Sequence, residues 1–155
     1  MSEDELLEII EEFETVSDIK DFLEVSCKDI AIKPLNNMLL GKIENQKATA
    51  YISDILVKDI KGIKGLKYEN RSPLELINDL DNMDNALKVI INNPDYVLND
   101  YSKEPLSFIL IIDTNNQKNY YLNLKGNHRV IILLALCDVY EELKLTDVNI
   151  TQYKL

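Results

Sequence analysis

The sequence has 155 residues, of which 46% are hydrophobic and 28% are charged, and its formal net charge is −10. A chain of this length suits one domain that buries about two-thirds of its unfolded surface. Its longest apolar run, Val130 to Cys137, is far shorter than the ~18 residues that a membrane helix needs. One histidine and two widely separated cysteines exclude an ordinary zinc site. The acidic start is unlike a secretory signal or a transit peptide, so we expect a cytoplasmic protein without a membrane segment.

The negative charge is concentrated in the first 24 residues. They contain ten acidic side chains and one basic side chain, a net charge of −9, which leaves 16 basic and 17 acidic side chains for the other 131 residues. The body of the protein is therefore nearly neutral, and the low isoelectric point describes its N-terminal segment. We predict an acidic helical extension, residues 1–27, followed by one domain, residues 28–155.

The first predicted element is an amphipathic helix over residues 3–25, with a break near Thr15–Ser17. Its apolar residues recur at spacings of three and four: Leu6, Ile9, Ile10, Phe13, Val16, Ile19, Phe22 and Leu23. Two short strands are predicted next, over residues 28–35 and 48–57. Residues 58–71 follow with four lysines, Arg71 and two glycines, a composition that predicts a mobile basic loop.

A second helix is predicted over residues 73–92. Ser72 is a suitable N-cap, Pro73 occupies the first helical position and Glu75 completes a capping box. A short helix is expected after Pro94.

The C-terminal third predicts a strand, a hairpin, a buried segment and a last strand. The hairpin joins residues 106–113 to residues 119–124 through the turn TNNQK, and the last strand covers residues 146–154. Between them, residues 128–143 lack a turn signal and are too long for an ordinary strand, which favours a helix. The element order predicts a small mixed α/β (α+β) domain.

The glycine turn, Lys125 to Arg129, precedes this buried helix. Cationic side chains are unfavourable at a helix N-terminus, where unpaired backbone amides already carry partial positive charge. A bound phosphate would resolve the conflict, with the amides and Arg129 donating, Gly126 permitting close approach and His128 donating or moving a proton. In the alternative interpretation, His128 donates to a neighbouring carbonyl and Arg129 pairs with an acidic side chain.

The segment YYLNLKGNHRVIILLAL, preceded by EPLSFILIID, resembles the core of the ParB/sulfiredoxin superfamily, in which a Gly-x-[His/Arg]-Arg turn leads into a helix. The resemblance covers residues 28–155 in element order. It implies a ParB/sulfiredoxin-like fold with a mixed sheet. It also implies that Gly126, His128 and Arg129, with Asn127 between them, contact the phosphates of ATP or CTP with Mg²⁺.

Departures from the family narrow the expected chemistry. Asn127 stands where a sulfiredoxin has its catalytic cysteine, which excludes that reaction. A partition protein would have Gly-Glu-Arg-Arg here and further domains beyond Leu155. Kinase-like members place a glutamate after the first strand, where this sequence reads KPLNN.

The remaining candidates are His128 and Glu104 as catalytic residues, with Lys125, Lys64 and Arg71 as further ligand contacts. Glu69 is a weaker choice for the base, and the lysines from Lys58 to Lys67 could close over the phosphates.

Three functions stay open. The first is a nucleotide- or phosphate-ligand-binding protein, with NTP hydrolysis or phosphotransfer if it is an enzyme. The second is a non-enzymatic regulatory, immunity or anti-defence protein of a mobile element, whose acidic helix docks on a basic protein partner or mimics nucleic acid. The third is a ParB-like nuclease, for which no metal-binding carboxylate spacing is readable.

Overall fold

The structure is a computed structural model of the chain and describes residues 2–28, 30–33, 35, 37–65, 68–97, 105–123 and 125–155. The helices of this part are α1 (Glu3–Glu11), α2 (Val16–Ser26), α3 (Asn37–Ile43), α4 (Pro73–Asp79), α5 (Met83–Asn92) and α6 (Asn127–Leu136). The strands are β1 (Thr49–Leu56), β2 (Ile60–Ile63), β3 (Ser107–Ile112), β4 (Lys118–Leu122) and β5 (Lys144–Lys154). Short 3₁₀ turns cover Val57–Asp59 and Pro94–Val97. The predicted mixed α/β fold is confirmed.

The five strands form one mixed sheet in the order β1-β5-β3-β4-β2. The β3–β4 hairpin is antiparallel, as predicted, and β5 lies parallel to β3 and antiparallel to β1. β2 lies parallel to β4 at the other edge. The predicted strands over residues 48–57, 106–113, 119–124 and 146–154 are confirmed, apart from shifts at their ends.

The sheet separates two hydrophobic cores. Phe108, Leu110 and Leu122 belong to the larger core, into which α1, α2, α4, α5 and α6 also pack. The neighbouring strand residues Ile109, Ile111 and Tyr121 point to the opposite face and meet Ile43 of α3 in the smaller core. This alternation follows from the two-residue period of a strand. α6 is apolar nearly all round because it lies in the larger core.

The predicted break in the N-terminal helix is confirmed and is produced by a capping box. Thr15 Oγ1 accepts from Asp18 N–H, and Asp18 Oδ2 accepts from the N–H groups of Glu14 and Thr15. Leu6 of α1 and Leu23 of α2 are fully buried in the main core, so the N-terminal segment packs against the domain. Its ten carboxylates are exposed on the outer side.

The cap makes a pH-dependent contribution to stability. Hydrogen bonds from the backbone N–H of Glu14, and then from that of Thr15, hold the pKa of Asp18 below its usual value of 3.8. The stabilisation is therefore present above pH 3.8 and is lost as pH falls through the lowered pKa. We expect Asp18→Asn to be less stable than the wild type at pH 7 and the difference to shrink below pH 3.8, measured by urea denaturation. Asp21→Asn, in the same helix but outside the cap, is the control and should show no such convergence.

Two predicted segments have a different structure. Residues 30–33 are not a strand: Ile32 exchanges backbone hydrogen bonds with residues 70 and 71, and Lys33 N–H donates to Lys61 O at 2.9 Å. The prediction of a basic loop from residue 58 is wrong for residues 60–63, which form β2. Ile60 and Ile63 are buried there, so the apolar side chains decide the structure and the lysine between them does not.

The two predicted long helices are shorter than expected. Residues 73–92 form two helices rather than one, because the chain leaves α4 at Leu80 and Asn82 adopts a left-handed conformation with φ of 64°. The Ser72 cap on Glu75 N–H is confirmed at 3.2 Å. α6 ends at Leu136, seven residues before the predicted end, and Asp138 then accepts from Lys28 N–H at 2.7 Å.

Among the described residues, no helix combines the length and apolar character needed to cross a membrane.

Candidate functional site

The sheet brings part of the predicted site to one edge. β2 and β4 are parallel, so both end at the same edge, where Lys64 N–H donates to Leu122 O at 2.9 Å. The glycine turn lies between β4 and α6 in the chain, and α6 begins within it at Asn127. The side chains of Lys64 and Lys125 are exposed there. Ligands commonly bind beyond the carboxyl ends of parallel strands, so this edge is one candidate location.

The glycine at position 126 is required by the backbone. Its φ is +102°, and a Cβ atom there would lie 2.2 Å from Leu106 Cδ2. As the N-cap of α6 it supplies no side-chain hydrogen bond. Glycine therefore serves local packing at this position, whether or not an anion binds.

The side chains after Gly126 are engaged in contacts within the fold. Asn127 Nδ2 donates to the buried Tyr68 hydroxyl at 2.6 Å, and its Oδ1 is buried without a hydrogen-bond partner among the described residues. His128 Nε2 lies 2.7 Å from Asp81 O, and because a carbonyl only accepts, this nitrogen carries the proton. This contact is of the kind that the alternative interpretation expects for His128, and it ties α6 to the break between α4 and α5.

Arg129 is also part of the packing, with 6% of its surface exposed. Its guanidinium carbon lies 5.1 Å from the centroid of the Tyr96 ring, and Nη2 donates to Tyr96 O at 3.5 Å. A ligand at the glycine turn would therefore reach Arg129 only after repacking.

The other predicted contacts are distributed elsewhere. Arg71 pairs with the carboxylates of Glu75 and Asp79 on α4. Glu104 and Lys67 lie outside the described residues. Lys64 lines an open cavity of about 540 Å³ beside α3, together with Asn123, Thr151 and Glu44.

The opposite end of α6 borders a cleft that the sequence did not reveal. It has a volume of about 500 Å³ and lies between Lys28 with residues 30–33, β2 with its preceding turn, and the C-terminal end of α6. Four lysines line it: Lys28, Lys33, Lys58 and Lys61. We call it the lysine cleft. α6 has ten residues, so at 1.5 Å per residue the cleft is about 15 Å from the glycine turn.

The lysines of the cleft are not neutralised by neighbouring carboxylates. Within the described ranges, none of the four has a carboxylate oxygen within 4.0 Å, and the ion pairs there belong to Lys20 and Arg71. Two acidic residues, Asp138 and Glu141, also line the cleft. Asp138 Oδ2 already accepts from Lys28 N–H and, at 3.2 Å, from the Cys27 thiol. Among the described residues that line the cleft, positive charge is therefore in excess, although the protein as a whole is acidic.

Cys137, on the wall of the cleft, is poorly suited to act as a nucleophile. Burial, and then the charge of Asp138, raises the pKa of its thiol to about 11, so the thiol is protonated at neutral pH. Its Sγ donates to Leu134 O at 3.0 Å. The cleft offers binding groups rather than a reactive thiol.

Sequence reasoning detected Lys58 and Lys61 but placed them in a mobile loop over the glycine turn. The signal that could have located the cleft is the apolar pair Ile60 and Ile63, which fixes Lys61 in an edge strand.

No clusters of three or more metal-binding side chains occur in the described part of the chain. Comparisons with protein-family models, curated proteins and solved structures find no match to this chain. The resemblance to the ParB/sulfiredoxin superfamily therefore stays a prediction.

Proposed function

We propose that this protein binds a small phosphorylated molecule and that the lysine cleft holds the phosphate. The supporting observation is the convergence of four lysines without ion-pair partners in the described structure on one cavity of about 500 Å³. Cavities of this size accommodate small organic ligands. Ammonium groups at a phosphate form charge-assisted hydrogen bonds, which are stronger than neutral ones.

The proposed ligand class is the one predicted from the sequence, but the proposed binding site is the lysine cleft and not the glycine turn. Lys64, Lys125 and the amides at the start of α6 form the second possible location, but His128 and Arg129 are already engaged there. ATP and CTP, with Mg²⁺ bound to the phosphates, are the first ligands to test. The proposal is limited to binding, because His128 Nε2, the predicted proton donor, already donates to Asp81 O.

Calorimetric titration with ATP, CTP and tripolyphosphate, with and without Mg²⁺, tests the proposal. We expect Lys33→Gln/Lys61→Gln to weaken binding about tenfold or more, since each lost contact to a charged group is worth ~1.5–3 kcal/mol before solvent screening. Lys42→Gln/Lys88→Gln removes the same charge from α3 and α5 and should have a small effect. Added salt should weaken wild-type binding.

Two outcomes would contradict this assignment. If Lys33→Gln/Lys61→Gln binds like the control, the lysine cleft is not the site. If Lys64→Gln/Lys125→Gln alone loses affinity, the ligand sits at the glycine turn instead.

A second candidate function rests on the outer side of α1 and α2. The ten carboxylates of α1, α2 and the adjoining turn are all exposed, and the one base, Lys20, pairs with Asp84. We propose this surface as a docking site for a basic protein. Poly-lysine is a defined probe: Glu8→Gln/Glu11→Gln/Glu12→Gln should bind it less tightly than Glu44→Gln/Asp113→Asn/Asp147→Asn. Equal binding by the two variants would contradict the assignment.

A further inference from the structure

The lysine cleft is much larger than a simple oxyanion. A water molecule takes up about 30 Å³ in the liquid, and an inorganic phosphate is only a few times larger. A cavity of about 500 Å³ would be mostly filled by water around such an ion. Its volume lies in the range of about 300–1,000 Å³ typical of sites for organic ligands.

Much of the cleft wall is apolar. Ile32, Ile60 and Pro73 line it and are buried against the body of the protein, and Leu134 of α6 is half-buried beside them. Ile30 lines the same cleft with 68% of its surface exposed. A ligand that covers this side chain gains from removing apolar surface from water, and an inorganic ion cannot.

The charges of the cleft are unevenly placed. Lys33 and Lys61 lie on adjoining segments, joined by the backbone hydrogen bond from Lys33 N–H to Lys61 O. Lys28 instead lies next to Asp138, on the side formed by the end of α6. One side therefore carries positive charge without a described counter-charge, and the other is close to neutral and offers carboxylate acceptors.

We infer that the ligand of the lysine cleft is an organic anion whose phosphate, or similar oxyanion, is joined to an apolar or planar body. This inference rests on the proposed function of the cleft. The oxyanion contacts Lys33, Lys58 and Lys61, and the body lies against Ile30 and Leu134. Asp138 and Glu141, in the segment that follows α6, accept N–H or O–H groups of the body.

The test compares ATP with tripolyphosphate, which has a similar number of phosphate charges and no organic body. The full chain is titrated with each by calorimetry in low salt. We expect ATP to bind about fivefold or more tightly than tripolyphosphate, as burial of part of one isoleucine side chain predicts. Ile30→Ser should remove most of this preference by weakening ATP alone.

Ile52→Ser is the matched control, because Ile52 is 65% exposed on β1 and does not line the cleft. It should leave both affinities unchanged, and both substitutions are at exposed positions, where changes usually alter stability little. If tripolyphosphate binds as tightly as ATP through Lys33 and Lys61, the inference is overturned and the proposed function stands. An unchanged ratio of affinities in Ile30→Ser also overturns it. If neither compound binds, both are overturned.

Discussion

Gly62→Ala is expected to lower the free energy of unfolding by about 3 kcal/mol, the upper end of the usual cost of overpacking. A Cβ atom at this position would lie 1.7 Å from Lys33 O and 2.8 Å from Lys33 C. Both are backbone atoms, so the clash cannot be relieved by rotating a side chain. The clash is relieved only if β2 and residues 30–33 move apart. Urea denaturation followed by circular dichroism measures the loss.

Gly41→Ala is the matched control for this substitution. Gly41 lies in α3, and a Cβ there meets nothing within 4 Å. Alanine is favoured over glycine in a helix by about 1 kcal/mol, so this variant should be unchanged or more stable. Equal stability of Gly62→Ala and the wild type would show that residues 30–33 do not pack on β2 as described. Because these residues line the lysine cleft, Gly62→Ala should also weaken ligand binding.

Leu23→Ala is expected to cost about 3 kcal/mol, within the range of about 2–5 kcal/mol for truncating a buried leucine. Leu23 is fully buried between α2 and the rest of the main core. This loss in the free energy of unfolding reports how strongly the packing of the acidic N-terminal segment stabilises the domain. Guanidinium denaturation monitored by circular dichroism should show one transition shifted to lower denaturant concentration.

Val25→Ala, two residues further along the same helix, is the control. Val25 is 88% exposed, and substitutions at such positions change stability by about 0.5 kcal/mol or less. If Leu23→Ala unfolds α1 and α2 in a separate transition and leaves the main transition in place, the N-terminal segment is an independent extension after all. By the same reasoning, deletion of residues 1–25 would expose part of the core and is a poor test of the acidic surface.

The sequence by itself determined most of the secondary structure. Apolar spacing located α1 and α2, the Ser72-Pro73 signal located the start of α4, and a continuous apolar run and the alternating segment after its turn located β3 and β4. The length of the apolar segment after Gly126 correctly favoured a helix over a strand. These predictions succeeded because each depends on hydrophobic period or capping chemistry within a few neighbouring residues.

Only the tertiary structure decided which of these elements meet. Lys28 and Lys33 are more than 20 residues away from Lys58 and Lys61 in the sequence. The pairing of β2 with β4 and the backbone hydrogen bond from Lys33 to Lys61 bring the four lysines to one cleft. The engagement of His128 by Asp81, and of Arg129 by Tyr96, likewise depends on packing between distant segments. A local motif identifies the side chains that could bind a ligand. Long-range packing decides which of them are used in contacts within the fold and which remain accessible to a ligand.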